Sequence, residues 1–452
     1  MNIVIVGCGK IGRTIISSLV NEGHDVVAID ENPAIIAEIS DIYDVMCVCG
    51  NGADCDTLSE AQVEKADLFV AVAGSDELNM LSCFIAKRMG VAHTIARIRT
   101  PDYNDKGLSF MRQQLDLSVS INPEQLAGQE LFNILQLPSA VNIETFSNRN
   151  FEMVELLLKP ESPLNGITLS ELRRKYQAKF LICAVQRGDE VYIPDGSFEL
   201  KGGDKVGLSA SRNEIEKLLR LIGNRQKKAR SIMILGASRT AYYLAKLLLS
   251  SGNSVKIIDK DPVRCEQFGK LLPNAVMILG DGADQELLLE EGIRDTDAFV
   301  ALTGTDEVNI LISFFASAQN VPKVIAKVNR NELAAMAEKL GLDCIISPKR
   351  IISDVLSRYA RALQNSLGSN VETLYKIMDD GAEALEFNVQ NDFKYLNTPL
   401  KDMKLKSNIL IAGILRSRKA LIPSGDDMIL PGDRVVVIAA GHRLNDLSDI
   451  IA

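Results

Sequence analysis

Histidine is scarce in this 452-residue sequence, with only His24, His93 and His442. That is thin material for acid–base chemistry, which draws on imidazole more than on any other side chain. Long apolar runs are missing as well. The longest, 67–73 and 409–415, fall far short of the roughly 18 to 20 residues that span a bilayer. The chain is therefore expected to be soluble, or peripheral to a membrane. Basic charge is not in excess. Lys and Arg number 50 against 59 Asp and Glu, for a net charge of −9, which argues against a general nucleic-acid binder. No basic-then-apolar leader precedes the first strand-like run, Asn2 to Val6. Eight cysteines without such a leader indicate a reducing compartment. Cys47, Cys49 and Cys55 are their only cluster. The C-x-C spacing within an apolar run lacks the paired arrangement of a zinc site. These are expected to be buried strand cysteines, and no metal site is expected.

What is present is ordinary globular composition, 46% hydrophobic and 24% charged, with length for about three domains. The chain also repeats itself. NIVIVGCGKIGR (2–13) matches SIMILGASRTAY (231–242), and VVAIDENP (26–33) matches VKIIDKDP (255–262). GNGADCDTL (50–58) matches GDGADQELL (280–288), and ADLFVAVAGSDELNM (66–80) matches TDAFVALTGTDEVNI (296–310). The register holds into the second parts, where Pro194 and Pro423 stand 229 residues apart, as do Gly7 and Gly236. A period this long is tandem domain duplication, since solenoid units run about 20 to 50 residues. The parts are a nucleotide-type half at 1–140, a β-rich half at 141–222, a basic linker at 223–229, and the second pair at 230–368 and 369–452. The linker reads as a solvated tether; the other reading is contact with an acidic partner or lipid headgroups.

Within 1–140, short apolar runs alternate with helical periodicity, which predicts a doubly wound parallel sheet. Gly7-x-Gly9-x-x-Gly12 follows the first strand and opens a helix over about Lys10 to Asn21. Gly7 permits the tight turn, Gly9 lets the backbone approach a pyrophosphate, and Gly12 lets helix and strand pack closely. The N–H groups of the first turn would meet the phosphate. Asp30 ends the second strand, 18 residues after Gly12, where a carboxylate accepts from both ribose hydroxyls and repels a 2′-phosphate. NAD or an adenine ribonucleotide is favoured over NADP. Ala73-Gly74 follow the fourth strand at the sheet's switch point, and Arg97 ends the fifth in a place to bind phosphate, ahead of Arg99. Asp76, Glu77 and Asn79 read as the cap and first turn of the next helix. The second copy keeps Gly236 and Asp259, but Ser238 and Ala241 replace two glycines, and Lys327 replaces Arg97. Ser238 adds a Cβ where backbone should approach phosphate, although its hydroxyl is a potential donor. The β-rich halves show Gly-Asp turns and no acid, base or nucleophile; they suit dimerisation or a small regulatory ligand.

Four ordered modules with these motifs, together with INPEQLAGQELFNIL (121–135), resemble tandem RCK (regulator of conductance of K⁺) domains. The arrangement is similar to the cytosolic subunits of bacterial Trk potassium uptake systems over nearly the whole chain. The resemblance implies an α/β fold: two tandem Rossmann-like doubly wound parallel sheets, each followed by a small β-rich α+β subdomain. It implies binding of NAD⁺/NADH and of ATP or ADP. It further implies a tetrameric homo-oligomeric ring on the cytoplasmic, peripheral face of a TrkH-like membrane subunit. The family's nucleotide contacts fall on Gly7, Cys8, Gly9, Lys10, Ile11 and Gly12, with Asp30, Ala73, Gly74 and Arg97. The second set is Gly236, Ala237, Ser238, Arg239 and Thr240, with Asp259, Thr303, Gly304 and Lys327. Ala73 and Gly74 lack the polar side chains often found there. The implied role is nucleotide-dependent gating without catalysis. An NAD-dependent dehydrogenase would share the loop and Asp30, but it needs a catalytic domain with a proton donor, and none remains. A regulator of a different transporter is the other alternative.

Overall fold

A computed structural model of the chain describes residues 1–100, 105–137, 140–146, 151–176, 179–222, 228–342, 344–366, 371–417 and 419–452. Most of the basic linker lies outside the described residues. Four sheets follow one another in sequence. The first comprises β1 (Asn2–Val6), β2 (Asp25–Asp30), β3 (Met46–Cys49), β4 (Leu68–Ala71), β5 (His93–Arg97) and β6 (Val119–Ile121). Its order is β3-β2-β1-β4-β5-β6 with every pairing parallel. Helix α1 (Lys10–Asn21) leaves β1, α2 (Pro33–Ile42) leaves β2, α3 (Cys55–Glu60) follows β3 and α4 (Asp76–Arg88) follows β4. β1 is central and covered on both faces, so Ile3, Val4, Ile5 and Val6 are all buried, which is why the strand reads as an unbroken apolar run. α1 spans the residues its 3.6-residue period predicts and buries Ile15, Ile16 and Leu19. Pro33 occupies the first turn of α2, where the missing N–H has no partner to lose, and Asn32 caps that helix.

The second sheet is antiparallel. It comprises β7 (Asn142–Thr145), β8 (Glu152–Leu157), β9 (Phe180–Arg187), β10 (Glu190–Tyr192) and β11 (Lys205–Ala210), in the order β10-β9-β11-β8-β7. A short helix, Leu169–Lys175, starts after Thr168, whose hydroxyl and the Glu171 carboxylate form a capping box. The third sheet repeats the first. Its strands are β12 (Ser231–Leu235), β13 (Ser254–Asp259), β14 (Val276–Leu279), β15 (Ala298–Ala301), β16 (Lys323–Lys327) and β17 (Ile345–Ile346), with β12 and β15 at the centre. The fourth repeats the second, with β18 (Val371–Ile377), β19 (Ala382–Asn388), β20 (Ile409–Arg416), β21 (Lys419–Leu421) and β22 (Arg434–Ala439). The α/β class and the duplicated Rossmann-like architecture are as the sequence predicts.

Two compact units result, Met1–Gln129 with Ser347–Ala360, and Glu130–Ile346 with Arg361–Ala452. In the first, the opening turns of the helix Pro348–Ser366 lie on α1 through small residues. The Ser357 and Ser18 hydroxyls are 2.9 Å apart, and the Ser353 hydroxyl donates to the Thr14 carbonyl at 3.4 Å. In the second, buried Lys323 donates to the Ala140 carbonyl at 2.7 Å.

The two antiparallel sheets of the second unit share one core. Phe151, Met153, Cys183 and Ala184 from the first copy pack with Ile377, Ala384, Ala412, Val436 and Ile438 from the second. Polar groups cross the same boundary. The Glu155 carboxylate accepts the Met378 N–H at 3.0 Å, and the Ser209 hydroxyl donates to the Ala412 carbonyl at 3.2 Å. Gly413 is needed there, because a Cβ would fall 2.4 Å from Cζ of the Phe151 ring. Phe151 is fully buried, so Phe151→Ala should cost about 3 to 5 kcal/mol of stability. The denaturant midpoint of the second unit checks this; a shift equivalent to under about 1 kcal/mol would mean that the shared core does not hold the two sheets together.

Candidate functional site

The site is built where the turn after β1 meets the end of β4. Gly7 has φ +93°, and a Cβ on it would lie 2.5 Å from the Ala73 amide nitrogen. At Gly12 a Cβ would lie 2.0 Å from the Gly7 carbonyl oxygen, so this glycine lets α1 approach the turn. Gly9 differs, since a Cβ there would meet nothing within 4 Å. Its open side is the side from which an anion would come. Gly9 is the N-cap of α1 and gives it no side-chain cap, which leaves the N-terminal N–H groups and the helix dipole to face outward. Lys10 beside it is exposed and Ile11 half-buried.

Asp30 laces this turn to the end of β2. One carboxylate oxygen accepts the Cys8 N–H at 2.7 Å and the other accepts the Asn32 N–H at 2.9 Å. Each oxygen retains acceptor capacity for a ribose hydroxyl. Cys8 is buried; that burial, with the Asp30 charge beside it, pushes its thiol up to about 12, so the residue contributes its backbone and no reactivity. Arg13, one residue into the helix from Gly12, donates to the Cys8 carbonyl at 3.2 Å and grips Glu38 of α2 with both guanidinium nitrogens. Hydrogen bonds from Arg13 hold the Glu38 carboxyl below the usual carboxylate range.

Arg97 and Arg99 both reach the Ala73-Gly74 turn. Arg97 is buried and donates to the Ala73 carbonyl, and Arg99 donates to the Gly74 carbonyl at 2.7 Å. Asn79 is fully buried. Its oxygen accepts the Ala73 N–H at 2.7 Å, and its amide donates to the Ala73 carbonyl at 3.2 Å and the Arg97 carbonyl at 2.9 Å. Asp76 accepts the Arg99 N–H at 2.9 Å, the Thr100 N–H at 2.8 Å and the Thr100 hydroxyl at 2.7 Å. Ser75 is the actual cap of α4. Asp76 and Asn79 belong to the first turn, as read from the sequence, but their polar groups tie the end of β4 to the end of β5. The repeated spacing D-E-x-N in both copies was the available signal for this.

The second copy reproduces the frame and alters the loop. Asp259 is buried and accepts the Ala237 N–H at 2.6 Å and the Asp261 N–H at 2.9 Å. Gly236 has φ +97°, and Asn309 joins Thr303 to the Lys327 carbonyl as Asn79 joins Ala73 to Arg97. Here, however, the Ser238 N–H donates to the Gly236 carbonyl at 2.9 Å, and the Ser238 hydroxyl accepts the Ala241 N–H at 3.3 Å. Groups that would serve an anion are turned onto the loop itself. Arg239 is exposed, Thr240 is buried, and Lys327 donates weakly to the Leu302 carbonyl at 3.4 Å. Gly304 is exposed beside Thr303.

The cysteine cluster is not buried as expected. Cys49 and Cys55 are exposed and Cys47 is half-buried, because β3 is the edge strand and Cys55 opens α3. No group of residues suited to hold a metal occurs among the described residues.

Two predictions follow from these environments. An aromatic disulfide reagent should react fast with two thiols per native chain, Cys49 and Cys55. Cys8, Cys83, Cys183 and Cys344, all buried, should react only after unfolding, as peptide mapping of the adducts would show. The second concerns acid. Burial works against the Asp76 charge, but the Thr100 and Arg99 hydrogen bonds outweigh it and hold the carboxyl below its ordinary value. Its contribution is therefore present above the unfolded pKa of about 3.9 and lost as pH falls through the folded pKa. The stability difference between the parent and Asp76→Asn should be flat from about pH 7 to about pH 5 and shrink below about pH 4. A difference that held constant through the acid range would remove the Asp76 charge from the account.

The TrkA-N domain family matches residues 3–113 and 232–348, and the TrkA-C domain family matches 153–223 and 384–452. The chain is 33% identical to Trk system potassium uptake protein TrkA homolog 1 of Methanosarcina mazei, covering 99% of both chains. It is 30% identical to the TrkA protein of Vibrio alginolyticus, covering 100% of this chain and 98% of that one. Among solved structures, the GsuK channel bound to NAD superposes with a TM-score of 0.62 at 18% identity, covering 97% of this chain and 77% of that one. That likeness concerns the fold. Two domain families matched twice in alternation, and full-length identity to the relatives, place this chain in the TrkA family of Trk potassium uptake proteins.

Proposed function

We propose that this TrkA-family regulatory protein binds NAD⁺ or NADH in its first copy and uses that binding to gate a TrkH-like potassium-conducting membrane subunit. The observation that carries the reading is the uncapped, open helix start at Gly9, beside Asp30, which holds the glycine turn with one oxygen and the turn after β2 with the other. Gly7 to Gly12 receive the pyrophosphate, Asp30 the adenosine ribose, and Ala73-Gly74 with Arg97 close the phosphate end. ATP and ADP share the adenosine half and compete for the same place. The second set, Gly236 to Thr240 with Asp259, Thr303-Gly304 and Lys327, is the weaker site, because two N–H groups of its helix start are spent within the loop, that of Ser238 on the Gly236 carbonyl and that of Ala241 on the Ser238 hydroxyl. Residues 1–140 and 230–368 act as nucleotide lobes, and 141–222 and 369–452 as β-rich lobes. The kinship makes the protein a regulator and not an enzyme.

A regulator of this kind works only if the nucleotide binds two arrangements of the assembly with different affinity. Coupling of about 1 to 3 kcal/mol is typical. A homo-oligomeric, tetrameric ring at the cytoplasmic face of the membrane is the assembly proposed. Exposed apolar side chains support self-association. Among them are Leu81 and Phe110 in the first unit, and Leu311, Met336 and Leu340 in the second. No helix among the described residues is long and apolar enough to cross a membrane, so conduction would fall to the partner.

Calorimetric titration of the full chain with NADH, NAD⁺, ATP and ADP tests the reading. Asp30→Ala should weaken binding by roughly 10- to 100-fold, the worth of hydrogen bonds to a charged group. Asp259→Ala should change it little. Equal losses in both would mean two working sites per chain; no binding by the parent chain would leave the protein a scaffold. Arg97→Ala should reduce both affinity and nucleotide-dependent potassium flux, and unchanged values would remove Arg97 from the site.

A further inference from the structure

The carboxamide of Asn79 uses both of its donors and its acceptor on backbone groups, and all of those groups belong to the ends of β4 and β5. Those two ends carry the Ala73-Gly74 turn and Arg97. The Ala73 carbonyl is the meeting point, since it accepts from the Asn79 amide and from the Arg97 guanidinium at once. The repeat makes the same bonds independently. Asn309, also fully buried, accepts the Thr303 N–H at 2.9 Å and donates to the Thr303 and Lys327 carbonyls at 3.3 and 2.9 Å. Only a carboxamide of this length offers two donors and an acceptor together; a carboxylate would set an oxygen against two carbonyl oxygens.

We propose that Asn79 is a positioning residue that sets the gap between the ends of β4 and β5 and thereby the affinity for the phosphate half of the dinucleotide. The inference rests on the reading of the first copy as the nucleotide site. Where the Arg97 guanidinium turns toward a phosphate, its bond to the Ala73 carbonyl is released. That carbonyl keeps a donor after the turn, because Asn79 remains on it, and so the turn does not strand a buried acceptor. Asn79 also holds the Arg97 carbonyl, fixing the base from which the guanidinium swings. Asn79 touches no ligand; it acts through Arg97 and Ala73.

The test uses the full chain and two probes. NADH spans both halves of the site, whereas adenosine reaches Asp30 and carries no phosphate. Asn79→Ala should weaken NADH at least tenfold and leave adenosine within twofold. The Asn79→Ala/Arg97→Ala double variant should be within twofold of Arg97→Ala alone, because both remove the same placement. Asn309→Ala creates the matching lesion in the repeat and serves as the stability control. It should lower the melting temperature comparably and leave NADH affinity within twofold. If Asn79→Ala does not fold, Asn79→Ser keeps a hydroxyl donor and reads the same two ratios. Adenosine falling in step with NADH, or losses that multiply in the double variant, would overturn the positioning role. A parent chain that binds neither probe would instead overturn the site reading, and this inference with it.

Discussion

The turn after β1 and the end of β4 come so close that Gly7 and Gly12 have no room for a side-chain carbon, and the first parallel sheet is organised around that constraint. Gly7 is forced by the closeness of Ala73 and Gly12 by the closeness of Gly7. Backbone brought this close needs fixed partners for its polar groups, because an unmet buried donor or acceptor costs about as much as a whole hydrogen bond gains. Asp30 supplies the acceptor on one side of the turn and Asn79 the staple on the other. The consequence is a preformed cradle at the carboxyl ends of the central strands, where open α/β sheets place their ligands.

The duplicated frame and the divergent loop show which parts of this arrangement are structural. Asp259 and Asn309 repeat the bonds of Asp30 and Asn79, so these residues serve the fold whether or not a nucleotide is bound. Gly9 has no such duty, and its replacement by Ser238 leaves the frame intact. What changes is the direction in which the loop's donors point. A carboxylate at the end of the second strand is therefore weaker grounds for a working site than an uncapped, open helix start beside it.

Much of this was legible in the sequence. The duplication, the strand–turn–helix setting of the glycines, the boundaries of α1 and the place of Asp30 all follow from local periodicity and from residues with few conformational alternatives. The misreadings came from long-range geometry. Cys49 belongs to an apolar run, but β3 is an edge strand, and burial depends on which strands flank it. Asn79 does lie in the first turn of α4, but its bonds were hidden because its partners, Ala73 and Arg97, come from two different strand ends. The destination of Pro348–Ser366 on α1 was equally hidden, since its serines carry no periodicity that names a partner.

Phe151 lies over Gly413, and the Glu155 carboxylate holds the Met378 N–H. Each antiparallel sheet therefore completes the interior of the other. The two repeats are thus joined by packing as well as by chain connectivity, and the residues that join them belong to the β-rich halves and not to the glycine turns. A change within one glycine turn therefore leaves the shared interior untouched, and the two turns are free to differ as Gly9 and Ser238 do.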